Sequence, residues 1–116
     1  MTLLLTLFLA ATTYARPGML VETDWLAGHL NDPGIRIVDM RMGRPGGPSP
    51  YAERHIPGAV ELANSAIKVA TPPLFVPPAG EFERLMARLG ISNATRVIVY
   101  DDRGGIYAAR FWWILN

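Results

Sequence analysis

The sequence predicts an α/β fold built on a parallel sheet, and three observations carry that prediction. Residues 97–100 (VIVY) are apolar or aromatic without alternation, the pattern of a strand buried on both faces. Residues 35–39 (IRIVD) read as a second strand, and each run is closed by a carboxylate, Asp39 in one case and Asp101-Asp102 in the other. Helical patterns at 80–89 and 106–116 alternate with these strands, as crossover connections in a parallel sheet require. From 97 to 116 the order is strand, short glycine loop, helix, which is where open α/β sheets place ligands. A helix N-terminus there offers unpaired N–H groups and partial positive charge to an anion.

Composition narrows the function. At 116 residues there is room for one domain with a modest core. Half of the chain is hydrophobic, 18% is charged and the net charge is +1, which excludes a disordered or nucleic-acid-binding composition. Lys68 is the one lysine, and the arginines are spread out rather than clustered. Cysteine is absent, so a disulfide framework, a thiolate metal site and a cysteine nucleophile are all excluded within this chain. No metal-ligand spacing is present and no cofactor is expected.

In chain order, residues 3–11 (LLLTLFLAA) are an apolar run of signal-peptide length, too short for a stable membrane span. Thr13 and Ala15 supply small residues before a cleavage point at Arg16, so residues 1–15 are read as a signal peptide. That places the protein in the periplasm or outside the cell. The alternative, suggested by the lack of Lys or Arg ahead of the run, is a cytoplasmic protein translated from Met19. Thr23 is the expected N-cap of a short helix over 24–30 that turns Trp25, Leu26 and Leu30 inward, with His29 on its solvated surface. Residues 31–34 (NDPG) form a turn, residues 35–39 the first strand, and the Gly/Pro-rich 40–50 a loop. Tyr51 to Arg54 can make one helical turn before the break at His55-Ile56-Pro57-Gly58, and residues 59–62 a short strand. Residues 63–79 read as a long surface loop. Phe82, Leu85, Met86 and Leu89 recur at helical spacing, and Gly90 stops that helix in the left-handed conformation. The strand of 97–100 follows, starting near Arg96. The last helix is apolar on nearly every side around Phe111, Trp112 and Trp113, so a chain that stops at Asn116 reads as truncated at its C-terminal end.

Several pieces, taken in order, resemble one family. They are Leu20-Val21 with Trp25-Leu26; Ile37-Val38-Asp39-Met40-Arg41; residues 51–59 (YAERHIPGA); residues 82–91; and residues 97–113 (VIVYDDRGGIYAARFWW). Over residues 19–116 the chain resembles the amino-terminal half of tandem-domain rhodanese-like sulfurtransferases, the thiosulfate and 3-mercaptopyruvate sulfurtransferases. The resemblance implies a rhodanese-like domain, a parallel sheet of about five strands with helices on both faces. It also implies a catalytic loop after the fourth main strand, beginning with a cysteine whose thiolate and persulfide are stabilised by backbone N–H groups. Asp101 holds that cysteine's position here. The expected function is therefore a non-catalytic first domain, whose partners are a second, catalytic rhodanese domain of the same polypeptide and a small anionic sulfur donor. The alternative is a free-standing inactive rhodanese-like module that binds an anion or a protein.

Among the individual candidates, Asp101 and Asp102 are read as capping the 106–116 helix and pairing with arginines. A phosphotransferase pair of the Asp-x-Asp type fails because Arg103 takes the second position. His55 is expected to fix its own turn through the backbone. Together with Asp39 and Arg41 it is also a candidate for orienting the substrate anion or the partner domain, since all three sit at strand ends or loops. Arg110 is a candidate salt-bridge partner for the acidic loop. Trp112 and Trp113 are read as core or domain-interface residues.

Overall fold

The computed structural model describes residues 16–68 and 76–116. Residues 1–15, the expected signal peptide, lie outside the described residues, as does part of the 63–79 segment. Among the described residues three parallel strands, fewer than the expected five or so, form the sheet in the order β2-β1-β3, with β1 at Ile35–Asp39, β2 at Val60–Glu61 and β3 at Arg96–Tyr100. β1 pairs with β3 from Ile35↔Arg96 to Asp39↔Tyr100, and with β2 at Val38↔Val60 and Asp39↔Glu61. The pairing continues one residue past the strands, through Met40 N–H to the Tyr100 carbonyl and Leu62 N–H to the Asp39 carbonyl, both at 2.9 Å. The carboxyl ends of all three strands are thereby drawn to one edge.

The strand with the uninterrupted apolar run is not the one buried on both faces. β3 lies at the edge of the described sheet with Val97 to Tyr100 half-buried, whereas β1, in the centre, buries Ile37, Val38 and Asp39. Local sequence registers apolarity; the neighbours on each side decide burial. Val38 and Met40 join Leu62, Ile67, Leu85, Met86, Leu89 and Phe111 in the main core cluster.

Helix α1 (Thr23–Ala27) is shorter than expected, and Glu22 rather than Thr23 holds the N-cap position, without a side-chain cap bond. Trp25, Leu26 and Leu30 are half-buried. His29 is also half-buried, its ring stacked on Trp25 at 3.9 Å with Nδ1 2.6 Å from the Trp25 carbonyl; it is not a freely solvated residue. The Arg96 guanidinium lies 4.7 Å over the Trp25 ring.

Helix α2 (Pro50–Glu53) starts on a proline at its first position, and the Ser49 hydroxyl accepts from Ala52 N–H at 3.4 Å. The expected long loop after β2 contains a 3-10 turn, Asn64–Ala66, that delivers Ile67 fully buried into the core. Helix α3 (Ala79–Leu89) presents Leu85, Met86 and Leu89 to that core. Gly90, at φ 72°, donates to the Ala87 carbonyl, and Ile91 donates to the Met86 carbonyl at 2.9 Å. This double closure is the Schellman stop, and it packs Ile91 against the cluster.

Helix α4 (Ile106–Leu115) sends Phe111 fully into the core, while Trp112 and Trp113 remain 39% and 55% exposed. A core role for the two tryptophans is therefore excluded in this chain. Among the described residues no helix is long and apolar enough to cross a membrane.

Candidate functional site

The loop between β3 and α4 folds around a carboxylate. Gly104 and Gly105 both take positive φ, 66° and 86°, a region that β-carbon sterics deny to most residues. With the chain turned this way, successive N–H groups converge on Asp101. Its Oδ1 accepts from Arg103 N–H at 2.9 Å and Gly105 N–H at 2.8 Å; its Oδ2 accepts from Tyr107 at 2.9 Å and Ala108 at 3.0 Å. Tyr107 and Ala108 belong to the first turn of α4, whose N–H groups have no intrahelical acceptor. Burial alone would raise the Asp101 pKa, but the four N–H donors outweigh it and hold the carboxyl below its ordinary value. The capping role expected of Asp101 is what the structure shows.

Asp102 faces the other way, across to the loop after β1. It accepts from Met42 N–H at 3.0 Å and Gly43 N–H at 2.9 Å, and these bonds lower its pKa. Arg103 Nε is 4.0 Å from Asp102, at the limit of an ion pair, and Arg103 Nη2 donates to the Gly43 carbonyl at 2.6 Å. The two loops are latched in both directions. Arg110, on α4, donates to the Ile67 carbonyl at 3.2 Å and so ties the helix to the segment after β2.

Asp39 and Arg41 are brought together. Asp39 is 1% exposed, and both of its oxygens are engaged by Arg41: backbone N–H at 2.9 Å, Nε at 3.0 and 3.1 Å, and Nη2 at 2.7 Å. The Tyr100 hydroxyl donates to the same carboxylate at 2.7 Å and accepts from Ile56 N–H at 3.3 Å. Burial would raise the Asp39 pKa; Arg41 and Tyr100 reverse that and hold it low. Arg41 Nη2 also donates to the Pro50 carbonyl at 3.3 Å and to the Arg54 carbonyl, so this ion pair fastens α2 over the sheet end.

His55, next to Arg54, is exposed. Its ring stacks on Tyr51 at 3.9 Å and its Nδ1 lies 2.8 Å from the Tyr51 carbonyl. A carbonyl only accepts, so Nδ1 carries the proton and Nε2 is the lone-pair nitrogen of the neutral ring. The Tyr51 hydroxyl donates to the Ala59 carbonyl at 2.9 Å, closing the turn. Two features escaped the sequence reading. Tyr100 counted only as an apolar strand residue, although its register opposite Asp39 makes it a partner of that carboxylate. The second is the aromatic four residues before each histidine, Trp25/His29 and Tyr51/His55, a spacing that signals the stacking.

The family profile described as rhodanese-like domain matches residues 22–116. The chain belongs to the rhodanese-like domain family. It is 39% identical over 103 residues to the 3-mercaptopyruvate sulfurtransferase of Escherichia coli (strain K12), covering 83% of this chain and 37% of that protein. It is 37% identical over 108 residues to the thiosulfate sulfurtransferase of Bos taurus, covering 84% of this chain and 36% of that one. Among solved structures, SseA from Escherichia coli, a 3-mercaptopyruvate sulfotransferase with the rhodanese fold, superimposes with a TM-score of 0.68 at 38% identity over 84% of this chain and 40% of that one. This rhodanese-like domain therefore has the fold expected from its sequence, and it spans a little over a third of the length of these relatives. Its strand-end loop turns four backbone N–H groups inward, and a carboxylate of the chain itself fills them.

Proposed function

We propose that this chain is the amino-terminal, non-catalytic rhodanese domain of a sulfurtransferase that moves sulfane sulfur from thiosulfate or 3-mercaptopyruvate to a thiophilic acceptor. The observation that carries this reading is the Asp101 carboxylate seated on four backbone N–H groups, in a chain without cysteine. A carboxylate cannot accept sulfane sulfur, and its fixed charge repels an incoming oxyanion. The transfer itself belongs to a cysteine thiolate of a second domain. With thiosulfate, that thiolate attacks the sulfane sulfur, the S–S bond breaks and sulfite leaves with the electron pair. The acceptor then attacks the outer sulfur of the persulfide and releases the thiolate.

In this reading, His55 and the Asp39–Arg41 pair orient the second domain or the donor anion from the carboxyl end of the sheet. The relatives named as sulfurtransferases are about 2.7 times longer, which leaves length for such a domain. Residues 1–15 act as a signal peptide and direct the protein out of the cytoplasm; a mature N-terminus at Arg16 supports this, and one at Met19 overturns it.

The test incubates the chain with thiosulfate and cyanide. No chain-dependent thiocyanate is expected, and its appearance would refute the assignment. Reading the gene beyond the codon for Asn116 decides between this and a free-standing binding module: a second rhodanese domain with a strand-end cysteine supports the first, a stop codon the second.

A further inference from the structure

We draw no further inference here: the strongest candidate, the apolar groove between α3 and α4 beside the edge strand β3, lined by Phe82, Met86, Ile91, Val97, Trp112 and Leu115, carries none because nothing in the structure shows what covers it.

Discussion

Asp101 and Asp39 are both carboxylates at strand ends, yet their surroundings give them different work. Asp101 is held by backbone N–H groups of its own loop, whereas Asp39 is held by an arginine and a tyrosine from two strands. Replacing Asp101 by Cys should give a thiol whose pKa lies below the usual 8.5 or so, because the same donors favour a thiolate. Alkylation rate against pH measures it, and a value at or above the ordinary thiol range would show that the loop geometry does not survive the change. Asp39→Ala leaves the Arg41 guanidinium without its counter-charge and should cost about 3–5 kcal/mol in denaturant unfolding. Tyr100→Phe removes only one hydroxyl from that carboxylate and should cost about 1–3 kcal/mol. The position of Asp101 at a strand end was legible in the sequence because a carboxylate before two glycines and a helix has few other uses. The Asp39–Arg41–Tyr100 group was not, because its third member comes from a strand 61 residues away and is identified only by the β1–β3 register.

At the level of elements, what the sequence disclosed depended on how local the cause was. Helix α3 follows from its own spacing, and its stop follows from Gly90. An added β-carbon there would lie 2.5 Å from Arg36 Nη2 and 3.1 Å from Arg36 Cζ, on backbone already at φ +72°. Gly90→Ala should therefore destabilise by about 1 kcal/mol or more, read as a lower urea midpoint with an unchanged slope. The edge position of β3 has no local cause; an apolar run does not say what lies beside it. The same holds for α4, where the all-round apolar pattern implied full burial but Phe111 alone is buried. Phe111→Ala should cost about 3–5 kcal/mol, while Trp113→Ser should stay within about 0.5 kcal/mol in this chain. In the two-domain sulfurtransferase proposed above, His55→Ala is expected to lower turnover without changing the melting temperature; unchanged turnover would remove His55 from the proposed interface.

For the whole molecule, the titrations set a stability window. Asp39, Asp101 and Asp102 all have folded pKa values below the unfolded 3.8, so the stability they contribute is present above that value and lost as pH falls through the folded ones. Tyr100 runs the other way: burial first, then its bond to Asp39, raises its pKa above 10.0, so its contribution is complete below 10 and is lost as pH rises through the folded value. Urea midpoints should form a plateau between these limits, and Asp101→Asn should flatten the acid side. The self-filled loop has a further consequence for hydrogen exchange. Amides in the first turn of a helix ordinarily trade their protons with solvent quickly, having no acceptor. Those of Tyr107 and Ala108 are bound to a side chain anchored at the end of β3, so in deuterium oxide they should persist as long as amides midway along α4. A loop shaped for chemistry would then behave, on the timescale of exchange, as part of the rigid frame.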